Sequence, residues 1–111
     1  MKDLWKDREF SPMLLREVDK PFNSKEHIFE VKFDGIRAVI FVNRNSIYVQ
    51  SRNKNDLTKF FPELDSIRSI VNKNVIFDGE IVQLVDGKPS FSELQKRIRV
   101  RSKSRIESMS K

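Results

Sequence analysis

A lysine set between two carboxylates is the feature of this sequence with the clearest chemical potential. Glu30, Lys32 and Asp34 alternate with apolar residues, and Gly35 and Arg37 follow within three positions. On a strand, the two-residue period would place the three charged side chains on one face, and the glycine would permit a tight turn. The alternative is a half-buried strand whose charged face contacts only solvent. The choice depends on the rest of the sequence.

The other charged residues near the predicted strands suit one kind of reaction. An amine is a nucleophile only when it is unprotonated, and arginine donates paired hydrogen bonds to phosphate oxygens. Arg37, Arg52 and a divalent cation would favour the unprotonated form of Lys32, whereas its flanking carboxylates oppose it. Carboxylates can also orient sugar hydroxyls or the water shell of a metal. Together these residue types suit attack of an amine on a nucleotide phosphate.

The composition limits the chain to one small domain or part of a larger one. The 111 residues include no cysteine, which excludes disulfides and thiolate metal sites. No apolar run approaches the roughly 20 residues that a membrane-spanning helix needs. The first residues are too polar for a secretory signal. We therefore expect a cytoplasmic protein that does not associate with a membrane.

The positive charge is concentrated at the carboxyl-terminal end of the sequence. The formal net charge is +6, but residues 1–94 hold 15 Lys/Arg and 15 Asp/Glu. The excess comes from residues 95–111, where Glu107 is the only acidic residue. Such a tail could follow a nucleic-acid backbone, or it could equally be a solvated linker. Net charge alone therefore does not establish nucleic-acid binding.

The hydrophobic pattern predicts an α+β fold. Strand-like runs cover residues 28–33, 37–42, 47–52 and 75–84. Turn chemistry is found at residues 43–46 and 86–87. Helical segments are predicted over residues 11–19, 62–71 and 91–99, the last of them opening with a Ser-x-x-Glu capping box. These elements predict an antiparallel sheet over residues 28–84 with helices packed against it.

Three charged motifs occur in order along the chain. They are Lys-x-Asp-Gly-x-Arg at residues 32–37, Ser-Arg-Asn at 51–53 with Phe-Pro-Glu-Leu at 61–64, and Asp-Gly-Glu-Ile-Val at 78–82. In this order they resemble the ATP-dependent DNA ligases, and most of all the ligase domain of bacterial end-joining enzymes. The resemblance extends over residues 11–97. It implies part of an ATP-grasp-like nucleotidyltransferase fold, the DNA ligase adenylation domain.

The resemblance implies a role for each residue that matches the family. Lys32 would be catalytic: it would attack the α-phosphate of ATP, expel pyrophosphate and hold AMP through a phosphoramidate bond. Glu30 corresponds to a contact with adenine, and Arg52 to a contact with the phosphate of AMP or of the nick. Arg37 and Glu80 match positions near the ribose. These five residues are the predicted nucleotide-binding set.

Three further residues are predicted to support that set, namely Asp34, Gly35 and Asp78. None of the matched residues is predicted to be a metal ligand. The resemblance implies ATP and Mg²⁺ (or Mn²⁺) as cofactors, with the metal offsetting charge on the transferring phosphate. It also implies nicked or broken duplex DNA as the partner of the complete enzyme.

Several features of the family are missing after Glu80. They are an aromatic that stacks on adenine, a Glu-Gly motif that supplies a metal ligand, a paired-lysine motif and an OB-fold domain. We therefore expect residues 1–97 to be the N-terminal portion of a ligase adenylation domain, and residues 98–111 to be a basic, Ser-rich tail or linker. Such a chain would not seal DNA alone, and its open sheet edges would favour self-association. The alternatives are an RNA ligase or capping-type nucleotidyltransferase, and a non-catalytic nucleic-acid-binding fragment.

Overall fold

The computed structural model describes residues 3–100 and 103–111 and has an α+β architecture. The strands are β1 (Ile36–Val42), β2 (Ile47–Ser51), β3 (Val75–Ile81), β4 (Leu84–Val85) and β5 (Lys88–Pro89). The helices are α1 (Leu4–Asp7), α2 (Phe91–Ile98) and α3 (Lys103–Met109), with 3₁₀ helices at Thr58–Phe60 and Pro62–Ile70. The predicted antiparallel sheet with flanking helices is confirmed. No helix in the described residues is long and apolar enough to cross a membrane.

Strand β1 is the centre of a three-stranded sheet, with β2 and β3 pairing antiparallel on its two edges. Its β-branched and aromatic residues favour a strand, and both faces of it are packed. The buried residues of β1 are Ala38, Val39, Phe41 and Val42. In the register with β3, Arg37 lies opposite Glu80. The apolar run that forms the strand therefore also sets the position of two predicted site residues.

The hairpin between β1 and β2 is closed by the side chain of Asn43. Its Oδ1 accepts hydrogen bonds from the backbone N–H groups of Asn45 and Ser46, each at 2.9 Å. The backbone N–H of Asn43 also donates to the carbonyl oxygen of Ser46 at 3.0 Å. This is the turn chemistry predicted for residues 43–46. Helix α1 lies nearby, because the indole Nε1 of Trp5 donates to the carbonyl oxygen of Val42 at 3.2 Å.

The main core cluster joins the sheet to the 3₁₀ helices, α2 and α3. Its buried members are Ala38, Val49, Leu57, Phe60, Phe61, Leu94 and Ile106. Ile106 belongs to α3, so the segment after residue 98 contributes more to the core than its polar sequence predicts. Residues 1, 2, 101 and 102 lie outside the described residues, including Arg101 of the predicted basic tail. The division of the chain at residue 97 stays a prediction.

The predicted strand at residues 28–33 is wrong. Residues 27–34 have no regular secondary structure, and Ile28 and Val31 are 90% and 78% exposed. A strand is completed by hydrogen bonds to a neighbour, and the described sheet has only β1, β2 and β3. The alternation of apolar and charged residues in this segment therefore has no partner strand and no buried face.

The predicted helix at residues 11–19 is also wrong, because residues 9–18 have no regular structure. A helix this short gains most of its stability by packing an apolar face. The apolar residues of this segment remain exposed, at 87% for Met13, 55% for Leu14 and 66% for Leu15.

Two other segments differ from the prediction in detail. Residues 62–70 form a 3₁₀ helix, in which the hydroxyls of Ser66 and Ser69 donate to carbonyl oxygens three residues earlier. Such side-chain bonds compete with the α-helical pattern.

Strand β3 ends at Ile81, and β4 and β5 then form a separate hairpin. Its turn has positive φ at Asp86 and Gly87, 51° and 78°, as a two-residue hairpin turn requires.

Gly35 brings the chain into β1 against the end of β3. A Cβ atom at this position would overlap the carbonyl oxygen of Ile81 and would lie 2.9 Å from Cγ1 of Val82. At Gly79, within β3, a Cβ atom would meet nothing within 4 Å. The first glycine is therefore required by a close backbone approach, and the second is not.

We expect Gly35→Ala to lower the free energy of unfolding by about 1–3 kcal/mol, because the added methyl must displace backbone atoms. Gly79→Ala is the matched control, and it should stay within about 1 kcal/mol of the wild type. Urea unfolding followed by far-UV circular dichroism measures both changes. Equal losses in the two variants would contradict the steric explanation.

Candidate functional site

Five predicted site residues surround one open cleft of about 840 Å³. They are Glu30, Lys32, Arg37, Arg52 and Glu80. Gly35 also lies at this cleft, whereas Asp34 and Asp78 are not among its lining residues. The structure thus brings the predicted nucleotide-binding set together around one space. The individual roles of these residues stay predictions.

Three kinds of backbone present these side chains to the cleft. Arg37 and Glu80 lie opposite each other on the paired strands β1 and β3. Arg52 lies in the loop after β2, and Glu30 and Lys32 lie in the segment without regular structure. The two sheet residues are therefore held by backbone pairing, while the nucleophile candidate is carried by an exposed, unpaired segment.

Arg37 and Asp78 form a forked ion pair between β1 and β3. The Nε of Arg37 donates to Oδ1 of Asp78 at 2.7 Å, and Nη2 donates to Oδ2 at 2.8 Å. This hydrogen bonding holds the pKa of the Asp78 carboxyl below its usual value of 3.8. The same bonds, with smaller contributions from the charges of Asp78 and Glu80, raise the pKa of Arg37. Asp78 thus fixes the orientation of a guanidinium that lines the cleft.

The loop that carries Arg52 is held by a small network around Ser51. The backbone N–H of Ser51 donates to the carbonyl oxygen of Asn55 at 2.9 Å, and its Oγ accepts the N–H of Asn55 at 3.0 Å. Lys54 adopts a positive φ of 66° within this turn. The next residues are tied to β2, because the N–H of Val49 donates to Oγ1 of Thr58 at 2.9 Å. Arg52 is therefore presented by a hydrogen-bonded turn.

Lys32 is exposed and makes no hydrogen bond or ion pair within the described residues. Its neighbours at the cleft include the cations of Arg37 and Arg52 and the carboxylates of Glu30 and Glu80. The three cationic side chains outnumber the two carboxylates. Such a site suits a polyphosphate, whose oxygens accept charge-assisted hydrogen bonds.

The side chains at the cleft fit a metal that binds together with a nucleotide. Within residues 3–100 and 103–111, no group of three or more His, Cys, Asp or Glu side chains is placed to hold a metal ion. Mg²⁺ at nucleotide sites is commonly held by one or two carboxylates together with phosphate oxygens. Glu30 and Glu80 are predicted to contact adenine and the ribose, so a metal bound with the nucleotide would be held chiefly by phosphate oxygens and water.

Apolar residues form another part of the cleft, and the charged motifs did not predict them. Leu14, Leu15 and Phe91 line it. They come from two segments far apart in the sequence, and neither carries a charged motif. The apolar patterns of both segments predicted helices, but a helical pattern does not show whether its side chains line a cleft.

We expect Asp78→Asn to lower stability at neutral pH, because it removes the charge that Arg37 binds. A carboxylate whose pKa is lower in the folded than in the unfolded protein stabilises the fold at pH values above its unfolded-state pKa. That stabilisation is lost as the pH falls through the folded-state pKa. The wild type should therefore lose stability below about pH 3.8 more steeply than Asp78→Asn. Urea unfolding between pH 2 and 7 measures this slope. Asp86→Asn, in an exposed turn, is the control, and an unchanged slope in Asp78→Asn would contradict the assignment.

Comparison with known proteins identifies relatives of this chain. The family model described as "ATP dependent DNA ligase domain" matches residues 12–111. The SPβ prophage-derived DNA ligase-like protein LigB of Bacillus subtilis is 36% identical over 88 residues, covering 78% of this chain and 32% of that protein. The multifunctional non-homologous end joining protein LigD of Mycolicibacterium smegmatis is 33% identical over 94 residues, covering 82% of this chain and 12% of LigD.

Solved structures give the same result. A mycobacterial DNA ligase D complexed with ATP and MES matches with a TM-score of 0.56 and 33% identity, covering 61% of this chain and 23% of that chain. The ligase domain of M. tuberculosis LigD matches with a TM-score of 0.55 and 32% identity, covering 60% and 23%. The chain spans a third or less of these relatives. With 100 residues matched to the family model, the chain belongs to the ATP-dependent DNA ligase family.

Proposed function

We propose that this chain supplies the AMP-accepting lysine and the nucleotide-binding cleft of an ATP-dependent DNA ligase. The observation that carries the proposal is the convergence of Lys32, Arg37 and Arg52 on one cleft with two carboxylates. A structural relative of 33% identity is complexed with ATP, which supports ATP as the nucleotide. The matched relatives are DNA ligases, which favours DNA over RNA as the substrate.

The first reaction is transfer of AMP to Lys32. Its Nζ attacks the α-phosphorus, an N–P bond forms, and the bond from that phosphorus to the bridging oxygen breaks. Pyrophosphate leaves with the electron pair, and the amine proton passes to solvent. Arg52 donates hydrogen bonds to phosphate oxygens where negative charge develops, which is electrostatic stabilisation. Mg²⁺ or Mn²⁺, when bound with ATP, would offset further charge on the phosphates.

The remaining residues orient the nucleotide in this proposal. Glu30 contacts adenine, and Arg37 and Glu80 contact the ribose from neighbouring strands. The ion pair with Asp78 uses Nε and Nη2 of Arg37 and leaves Nη1 available for another acceptor. Holding the guanidinium in advance reduces the entropy lost when the nucleotide binds.

The later steps involve DNA and more polypeptide than these residues. In the complete ligase, AMP passes from Lys32 to the 5′-phosphate of a nicked or broken duplex, and the nick is then sealed. The Glu-Gly and paired-lysine motifs typical of the family are not in this sequence. We therefore propose that the 111 residues alone do not seal DNA.

Intact mass spectrometry after incubation with ATP and Mg²⁺ or Mn²⁺ tests this proposal. We expect no AMP adduct on the chain alone. A chimera in which residues 12–111 replace the matching segment of the M. tuberculosis LigD ligase domain should gain one AMP and seal nicked DNA. Lys32→Ala should abolish the adduct, because it removes the accepting amine.

Lys25→Ala is the matched control, since Lys25 is exposed and does not line the cleft. It should retain the adduct in the chimera. A folded chimera that gains no AMP, or one that keeps its adduct in Lys32→Ala, would refute the role of Lys32. A Lys32-dependent adduct on the chain alone would show that our expectation of inactivity is wrong.

We further propose that the chain self-associates through strand β3. This strand is an edge of the described sheet, and its Phe77 is 42% exposed. Exposed apolar edge strands pair with other chains, and a lysine on the edge blocks such pairing. Phe77→Lys should therefore reduce association in sedimentation experiments, whereas Val85→Lys on the separate hairpin should not. A wild type that stays monomeric at all concentrations tested would contradict this proposal.

A further inference from the structure

Arg97 is the only charged residue that is buried among those the structure describes, with 6% exposure. Its Nη1 and Nη2 donate to the two carboxylate oxygens of Glu63 at 2.6 and 2.9 Å. Nη2 also donates to the carbonyl oxygen of Phe60 at 2.9 Å, and Nη1 donates to Oε1 of Gln83 at 3.1 Å. The guanidinium lies 4.7 Å from the centre of the Phe61 ring. One side chain of α2 thus binds two other parts of the chain.

These partners belong to two segments that each continue from a residue lining the cleft, and we call these two segments the walls of the cleft. Phe60 and Glu63 belong to the 3₁₀ helices that follow the loop of Arg52. Gln83 follows β3, the strand that carries Glu80. The connection between β3 and α2 is itself closed, because the carbonyl oxygen of Gln83 accepts the N–H of Ser90 at 2.7 Å.

Stability alone is a weak explanation for such a buried charge. Removing an arginine and a carboxylate from water costs free energy that their attraction often fails to recover, and an apolar pair of similar volume is often as stable. The Nε of Arg97 is also buried without a hydrogen-bond partner. An apolar pair could not fix the relative orientation of these segments, whereas the planar guanidinium binds several acceptors at fixed angles.

We propose that Arg97 is a positioning residue that sets the distance between the walls carrying Arg52 and Glu80. It lines no part of the cleft and acts through Glu63, Phe60 and Gln83. The proposal rests on the proposed function, in which Arg52 binds phosphate and Glu80 binds the ribose. These contacts lie on one nucleotide, so a change in the separation of the two walls weakens both together.

The test compares two charge-matched double variants of the full chain, each of which removes a basic residue of helix α2 together with its acidic partner. Arg97→Met with Glu63→Gln removes the buried pair without leaving an unpaired charge. Lys96→Met with Glu93→Gln removes an exposed pair, joined at 2.7 Å, from the same helix. Backbone amide resonances of the ¹⁵N-labelled protein are recorded without ligand and during titration with ATP.

Without ligand, we expect the amide resonances of both Arg52 and Glu80 to shift in the first double variant and not in the second. With ATP, the apparent dissociation constant should rise about fivefold or more in the first variant only, the lower end of typical coupling between separated groups. Arg97→Lys keeps the charge but not the fork, so it should give intermediate values for both measurements.

Unchanged resonances at Arg52 and Glu80 in the folded double variant would overturn the proposal, as would equal changes in the control variant. If removal of the pair prevents folding, Arg97→Lys decides in the same way. A wild type whose resonances do not respond to ATP would instead refute nucleotide binding by this chain. The ligand-free comparison would then still show whether Arg97 couples the two walls.

Discussion

The pairing of strand β1 on both edges is the constraint from which much of the cleft follows. Its apolar residues are buried on both faces, and the register with β3 places Arg37 opposite Glu80 and diagonal to Asp78. Because side chains alternate between faces, a slip of one residue would send Arg37 to the opposite face from both carboxylates. The forked ion pair and the position of Glu80 are therefore consequences of how an apolar strand is buried.

The segment that carries Lys32 differs from β1, because neither strand pairing nor burial of its side chains holds it. Among the described residues, nine of the fifteen exposed large apolar side chains lie within residues 13–33, including Phe29 and Val31 on either side of Glu30. Exposed apolar surface of this extent is typical of a ligand-binding groove or an interaction site, and Leu14, Val31 and Phe33 line the cleft. The cleft thus combines charged residues fixed by the sheet with a proposed nucleophile on a segment whose apolar side chains are exposed.

Elements with strong local signals could be predicted from the sequence. The turn at Asn43 and the helix capped by Ser90 depend on side chains that bond to their own neighbours, and β1 depends on a continuous apolar run. The prediction of a strand at residues 28–33 was wrong. Alternation of apolar and charged residues shows that a segment suits a half-buried strand, but it does not show whether a partner strand exists. The burial of Ile106 in the core likewise depends on tertiary packing.

The candidate site shows the same division. Its charged residues were recognisable because they lie in short motifs whose spacing is visible in the sequence. The contacts of Arg97 with Glu63 and Phe60 join residues 34 and 37 positions apart, and no local pattern predicts them. Such contacts decide how the motif residues are placed relative to one another, which the motifs themselves leave undetermined.

The free energy needed to order the segment of Lys32 indicates what positions the proposed nucleophile. Fixing the backbone of one residue costs about 1–2 kcal/mol, so holding residues 27–34 in one conformation costs on the order of 10 kcal/mol. A hydrogen bond to a charged group contributes about 1.5–3 kcal/mol, so contacts of Lys32 with ATP cannot supply that amount. Burial of a large apolar side chain contributes about 1.5–3 kcal/mol each, and this segment has several to bury. Under the proposed function, contacts of Lys32 with ATP therefore supply only part of this free energy, and burial of the apolar side chains of the segment supplies the rest.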